Sequence, residues 1–140
     1  MNEEPWLIAE SRDTELPILY RVRRALPSGV DVTTYPTLLN IYWAYEGPHG
    51  FPTLAVSKQQ SAFEDALYRI DAEAIGFLMM VITGSAHKEW IYYIQDPKVF
   101  ITVFNECLDG HAPYPIELEV NADPEWSTWR KFLADLGEAS

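Results

Sequence analysis

Apolar and polar positions form strand-like patterns along most of the chain. Some segments alternate the two kinds of residue, as a strand with one buried face does, whereas residues 75–83 are apolar on both faces. The Gly and Ser residues at 84–87 predict a tight turn that joins this run to the next strand as a hairpin. The predicted strands cover residues 6–11, 18–25, 37–46, 75–83, 88–95 and 116–120, and a turn is predicted at 13–17.

Apolar residues at helical spacing predict a first helix over residues 57–73. Ser57 is followed three residues later by Gln60, and the two together form a capping box, so we expect the helix to begin at Ser57. The charged residues of this segment, among them Glu64 and Asp71, lie mostly off the apolar face and are expected to be solvated.

Two Asp-Pro pairs predict the starts of two further helices. Aspartate accepts hydrogen bonds from the first turn of a helix, and proline loses nothing at the first helical position. Asp96-Pro97 therefore predicts a helix that ends near Gly110, and Asp123-Pro124 predicts a C-terminal helix. The apolar side of the last helix carries Trp126, Trp129, Phe132, Leu133 and Leu136.

The order of these elements predicts an α+β fold in a single domain, residues 1–140. Residues 37–121 read strand–helix–strand–strand–helix–strand, the ferredoxin-like βαββαβ arrangement of an antiparallel sheet with helices on one face. An N-terminal β-hairpin over residues 5–25 and a C-terminal helix over residues 124–137 are added to this core. The sheet face left open is expected to be covered by the C-terminal helix or by a second copy of the protein in a homodimer.

Composition and charge narrow the classes of partner. The chain has 140 residues, is 48% hydrophobic and carries a formal net charge of −11, which opposes nucleic acid and favours a protein with a basic surface. A single cysteine, Cys107, precludes an intrachain disulfide and fits a reducing compartment. With neither a signal peptide nor a membrane-spanning run in the sequence, we expect a cytoplasmic protein.

The sequence contains no catalytic or cofactor-binding motif, and this argues against an enzyme. Phosphate-binding glycine loops are missing, so no cofactor is expected, and His49, His87 and His111 have no spacing that suits a metal. Cys107 lies on the apolar face of a helix near its C-terminal end, which is typical of an inert core thiol.

A pair of glutamates, Glu117 and Glu119, shares one face of the last predicted strand. As neighbouring carboxylates they can serve acid–base chemistry, because like charges raise one pKa. The simpler interpretation is an edge strand whose charges block pairing with other sheets.

Aromatic and arginine residues form the remaining candidate site. Trp43 and Tyr45 share one strand face, Trp90 and Tyr92 share another, and Arg21 and Arg23 share a third. If these faces coincide, the sheet presents the residue types that dominate interaction hot spots. The alternative is that the aromatic residues form the core beneath the C-terminal helix.

Several short segments together resemble a known bacterial family. They are the strand at 41–46, Thr83-Gly84 followed by residues 89–93, the segment 114–117 and the segment 123–126. In order and spacing they are similar to domain-of-unknown-function family six-nine-five, which is in turn distantly similar to regulator of ribonuclease E activity B. The resemblance implies a bacterial origin and an acidic protein that regulates an enzyme by binding it, and it carries no catalytic residues.

Two functions follow as hypotheses. The first is a binding or regulatory module whose partner is a protein with a basic surface. The second is a small-molecule-binding protein or hydrolase with a site near the 84–90 hairpin, where His87 is the available base and Trp43, Trp90 or an arginine holds the ligand.

Overall fold

The computed structural model describes residues 6–11 and 17–138. Six β-strands lie in these ranges, and each overlaps a predicted strand. The turn predicted at 13–17 lies, apart from Pro17, outside the described residues. The strands are β1 (Trp6–Ser11), β2 (Ile18–Arg23), β3 (Thr37–Ala44), β4 (Gly76–Gly84), β5 (His87–Ile94) and β6 (Ile116–Ala122).

All pairs of neighbouring strands are antiparallel, and the strands form one sheet in the order β1-β2-β4-β5-β3-β6. The helices of the described residues are α1 (Leu54–Ala66), α2 (Tyr68–Ala72), α3 (Pro97–Cys107) and α4 (Ser127–Glu138). The predicted α+β class with an antiparallel sheet is confirmed. None of these helices is long and apolar enough to span a membrane, a finding that covers the described residues only.

One side of the sheet, called the first face, packs against α1, α2 and α3. Side chains directly opposite one another on paired strands point to the same face, so the register fixes which residues meet the helices. The largest buried residues of this layer come from β3, β5, α1 and α3. They are Ile41, Trp43, Trp90, Tyr92, Phe63, Phe100 and Phe104.

The other side of the sheet, called the second face, is partly covered by α4, one of the two covers that the sequence predicts. Trp126 is fully buried there, stacks on Tyr93 with ring centroids 4.3 Å apart, and donates its indole N–H to the Tyr35 carbonyl at 2.8 Å. Trp129 donates its indole N–H to the Arg23 carbonyl at 2.9 Å. These contacts hold α4 against β2, β5 and the segment that precedes β3.

The start of α4 differs from the prediction. Asp123 lies four residues before the first helical residue, Ser127, and does not adjoin the helix. Its side chain accepts hydrogen bonds from the backbone N–H groups of Ser127 at 2.9 Å and Thr128 at 3.0 Å. Trp126, between them, has a φ of 59°, in the left-handed region that non-glycine residues seldom adopt. Burial of this indole holds a turn that the Asp-Pro pattern does not predict.

The start of α1 also differs from the prediction. The helix begins at Leu54, and Thr53 is its N-cap, with the side-chain oxygen accepting from the Val56 N–H at 3.3 Å. The predicted capping box is therefore wrong, since Ser57 lies inside the helix. Gln60 is only 1% exposed and its side-chain amide has no hydrogen-bond partner within the described ranges. The single predicted helix over 57–73 is divided at Leu67 into α1 and α2.

Candidate functional site

Two arginines and a tryptophan cluster on the first face where β1 and β2 pair. Trp6 lies opposite Arg23 in the register, and Arg21 lies two residues before Arg23 on the same face. The guanidinium carbons of Arg21 and Arg23 are 5.2 Å and 5.0 Å from the centre of the Trp6 ring system. Both distances are within the range of a cation–π contact, so one indole holds two cations in place.

Carboxylates from the overlying helices meet these arginines. Arg21 donates to Glu64 of α1 at 2.7 Å, and the indole N–H of Trp90 donates to the same carboxylate oxygen at 2.9 Å. Arg23 lies 3.5 Å from Asp71 of α2. The four charged side chains of these two pairs are 22–32% exposed, so water only partly screens them.

The two carboxylates differ in their pKa. Burial raises the pKa of Asp71 to about 6, although the Leu78 N–H and the Arg23 guanidinium both favour its ionised form. Burial also disfavours ionisation of Glu64, but its hydrogen bonds to Arg21 and Trp90 outweigh burial and hold its pKa below the usual value. Near neutral pH Glu64 is therefore the firmly charged member, and Asp71 is the member that titrates.

A third cation, Lys88 of β5, lies beside this cluster on the first face. Its ammonium nitrogen is 5.5 Å from the centre of the Trp90 ring system. Burial and the charge of Arg21 lower its pKa, while Glu64 has the opposite effect. The region between β2, β5 and α1 therefore brings three cations of an acidic protein together, beside the carboxylates that pair with two of them.

A cleft of about 240 Å³ opens beside the arginines. Arg21, Arg23 and Trp6 line it together with Tyr68 of α2, which is 74% exposed. Three carboxylates also belong to the lining, those of Glu64, Asp65 and Asp71. The floor is apolar and consists of the buried side chains of Leu67, Leu78 and Tyr92. Charged walls over an apolar floor suit a small ligand with a polar head and an apolar body.

The predicted aromatic and arginine residues meet on one face, as their spacing allows, but they differ in accessibility. Arg21, Arg23 and Tyr92 line the cleft. Trp43 and Trp90 are 2% and 0% exposed and belong to the core. The expectation that the aromatic residues lie beneath the C-terminal helix is wrong, because α1 and α3 cover them instead.

Tyr45 and His87 lie away from the cleft. Tyr45 follows β3 and donates its hydroxyl to the Gly50 carbonyl at 2.7 Å; burial raises its pKa to about 12. His87 pairs with Ala44 and points to the second face, two residues before Glu89. His87 and the predicted ligand-holding residues Trp43 and Trp90 therefore face opposite sides of the sheet.

A polar network lies on the open half of the second face. Asn40 donates to Glu89, and the Tyr42 hydroxyl donates to Glu119 at 2.9 Å. Burial raises the pKa of Glu89. Glu117 lies opposite Tyr42 in the register, and Glu119 accepts the hydrogen bond from the Tyr42 hydroxyl. The predicted pair of glutamates is therefore part of a wider acidic surface.

The remaining reactive residues do not assemble into a centre. Burial raises the pKa of the Cys107 thiol, which disfavours the thiolate. His111 forms a 2.8 Å hydrogen bond with the Tyr114 hydroxyl. Within residues 6–11 and 17–138, no three His, Cys, Asp or Glu side chains are grouped so as to hold a metal ion.

Sequence reasoning missed Trp6, Glu64, Asp71 and Lys88 as members of the cluster. One signal was available: Glu64 and Asp71 are seven residues apart, two helical turns, and Arg21 and Arg23 are two apart on a strand. Each spacing puts its pair on one face. The sequence does not say that these two faces meet, because that depends on how the helices dock on the sheet.

Comparison with known proteins identifies a family and nothing narrower. Neither the curated proteins nor the solved structures include a match to this chain. The similarity to regulator of ribonuclease E activity B therefore stays a prediction. One family model, described as a family of unknown function (DUF695), matches residues 4–134, a span that holds all six strands and most of the last helix. The chain therefore belongs to DUF695.

Proposed function

We propose that the protein is a binding module that takes up an extended, basic segment of another protein along strand β6. The observation that carries the proposal is the exposed edge of the sheet. Strand β6 pairs with β3 on one side, lies last in the strand order, and is exposed at six of its seven residues. An edge strand presents backbone N–H and C=O groups that a further strand can pair with.

The two faces of β6 differ in chemistry, and this specifies the partner. Leu118 and Val120, on the first face, are 37% and 48% exposed. Glu117 and Glu119 project to the second face. A strand that alternates apolar and basic residues would satisfy both faces, because cross-strand pairs of opposite charge and of apolar residues are each stabilising.

The acidic character extends from β6 into the sheet. Glu89 lies on the same face two strands away and is half-buried, with Asn40 and Tyr42 between it and the edge. A basic side chain that reached over Glu119 would also approach Glu89. The net charge of −11 would increase the rate of encounter with such a partner.

The same glutamates disfavour a homodimer through this edge. A two-fold axis that continues the sheet keeps each residue on its own face, so second-face residues of one copy lie opposite second-face residues of the other. A register centred on Glu117, on Glu119 or between them then brings glutamates of the two copies opposite one another. Like charges directly opposite one another are destabilising, which favours a different protein as the occupant.

The proposal includes the finer description of the fold and setting. The order β4-β5-β3-β6 of four strands supports a ferredoxin-like core that the β1-β2 hairpin extends. The proposed setting, a regulatory protein of the bacterial cytoplasm, rests on the family resemblance and the sequence. An experimental structure that placed these four strands in another order would contradict this part.

Photocrosslinking identifies the occupant of the edge. A photoreactive phenylalanine analogue replaces Leu118, and the control replaces Val99 on α3, an apolar residue that is 46% exposed. We expect capture from Leu118 alone, with the crosslink in an extended basic segment of another protein. Equal capture from Val99, or crosslinking to a second copy of this chain, would overturn the proposal.

Charge-matched variants of the captured complex test the electrostatic part. Glu117→Lys with Glu119→Lys changes the net charge by the same amount as Asp109→Lys with Asp135→Lys, and all four residues are exposed. We expect the β6 variant to weaken the purified complex on the order of tenfold or more, and the control to weaken it far less. Equal losses would show general attraction and contradict a site on β6.

A further inference from the structure

We infer that the cleft between Trp6 and α2 binds a small organic anion, a carboxylate or phosphate on a short apolar body. This site lies on the β1–β2 side of the sheet, whereas the proposed protein-binding edge is β6 at the opposite end. The inference is therefore independent of the proposed function.

The arginines have hydrogen-bonding capacity beyond their present partners. A guanidinium carries five N–H donors. Among the described residues, Arg21 donates to Glu64, and Arg23 donates through Nε to the Leu78 carbonyl at 3.0 Å. The contact from Arg23 to Asp71 is long, at 3.5 Å. Further donors therefore remain for an external anion.

The geometry of the cations suits a planar or tetrahedral anion. Trp6 holds both guanidiniums through cation–π contacts, which fixes their positions before any ligand arrives. Fixed guanidiniums recognise carboxylate and phosphate groups through paired hydrogen bonds.

The apolar floor defines the rest of the ligand. Leu67, Leu78 and Tyr92 are each 6% exposed or less and form the base of the cleft, and Tyr68 can flank a flat group at the rim. A volume of about 240 Å³ is smaller than the ~300–1,000 Å³ of typical ligand pockets. The cleft therefore suits a group of roughly the size of a benzene ring with an anionic head.

Asp71 gives the site a pH dependence. The charged or titratable groups that face it are Arg23 of β2, Glu64 of α1 and Tyr92 of β5, and Asp65 of α1 lines the same cleft. An ionised Asp71 competes with the ligand for Arg23 and repels it, and protonation removes both effects. Anion binding should therefore strengthen as the pH falls through about 6, the pKa of Asp71.

Titrations followed by the Trp6 indole N–H signal in NMR spectra test the site. The probes are benzoate, phenyl phosphate, inorganic phosphate and the uncharged benzyl alcohol, and Trp6→Phe assigns the signal. We expect saturable shifts with benzoate or phenyl phosphate, which distinguish the two head groups. Benzoate keeps the same charge at both pH values whereas a phosphate monoester does not, so benzoate serves for the pH comparison, and we expect it to bind more tightly at pH 5.5 than at pH 7.5. Absence of a saturable shift with all three anions, or equal binding of benzyl alcohol, would overturn the inference.

Three variants separate the site from general charge effects. Arg23→Gln should weaken benzoate or phenyl phosphate binding about tenfold, since a hydrogen bond to a charged group is worth that much or more. Arg130→Gln removes the same charge from an arginine that lies 6.0 Å from the Trp129 ring centre, and it should leave binding unchanged. Asp71→Asn should strengthen benzoate binding at pH 7.5 and abolish the pH dependence of benzoate binding.

A fourth variant distinguishes loss of binding from loss of the fold. Tyr68 is 74% exposed, so Tyr68→Ala should leave the fold intact and still weaken binding of the aromatic probes. Equal weakening by Arg23→Gln and Arg130→Gln, or Tyr68→Ala and Asp71→Asn variants that both bind like the unmodified protein, would contradict a site in this cleft.

Discussion

At the scale of single residues, burial changes the acid–base chemistry of Asp71. Its carboxylate accepts from the Leu78 N–H at 3.3 Å and faces Arg23, yet burial dominates and raises its pKa from 3.8 to about 6. The folded protein therefore holds this proton more tightly than the unfolded chain does. As the pH rises from about 4 to about 6, Asp71 lowers the free energy of unfolding.

Asp71→Asn isolates this effect. The amide has the same size and keeps an oxygen that can accept from Leu78, but it does not titrate. We expect the free energy of unfolding of the variant, minus that of the unmodified protein, to increase between pH 4 and pH 7. The increase is on the order of 3 kcal/mol, because the pKa shift is about two units. Urea denaturation at a series of pH values measures it, and parallel curves would contradict the pKa of Asp71.

Other residues of the site show what a sequence can reveal. Arg21 and Arg23 are placed on one face by strand alternation alone, and the structure confirms this. Their aromatic neighbour is Trp6 rather than Trp43, because Trp6 pairs directly with Arg23 whereas Trp43 is three strands away from β2. Strand order depends on the whole sheet, and local spacing does not contain it.

At the scale of elements, the strands follow from their own sequences, but the helix boundaries do not. The run at β4 is apolar on both faces and is buried on both faces, since helices cover the two sides of the sheet there. Thr53 and Ser57 are both residue types that cap helices, so the sequence allows either start for α1. The helix begins after Thr53, because Gln60 is buried in the core, as Phe63 is, and does not form the capping-box bond to Ser57.

Two substitutions test which residue caps α1. Thr53→Ala should lower the free energy of unfolding by about 1 kcal/mol, because it removes the acceptor for the Val56 N–H. Ser57→Ala should have little effect or be slightly stabilising, since alanine is favourable inside a helix. Chemical denaturation measures the free energy of unfolding of both variants, with Thr53→Ser as the conservative control. A larger decrease for Ser57→Ala than for Thr53→Ala would contradict Thr53 as the cap and support the capping box.

At the scale of the whole molecule, the two proposed binding surfaces are separated by charge and by position. The sequence has a net charge of −11, and this number by itself predicts an acidic surface without local differences. In the folded chain Arg21, Arg23 and Lys88 gather on the first face near β2, while glutamates occupy the second face near β6. One end of the sheet therefore suits a small anion and the other a basic segment of a protein.

Long-range packing accounts for this separation. The sequence predicted both glutamates of β6 on one face, and the register agrees. Their charges also predicted an edge strand, and the strand order confirms it. The sequence could not predict that α4 leaves the β6 side of the second face open, because that depends on contacts between residues far apart in the chain. For the same reason His87 was assigned to a site with Trp43 and Trp90, which lie across the sheet from it.

Hydrogen–deuterium exchange of the whole chain, with and without the partner captured through Leu118, tests the central claim most directly. Strands β1 and β6 lie at the two ends of the sheet, so β1 serves as an internal control for β6. If a partner strand pairs with β6, the backbone amides of β6 that do not bond to β3 should exchange more slowly in the complex, and β1 should be unchanged. Unaltered exchange in β6 with the partner bound, or protection along β1 instead, would contradict the account.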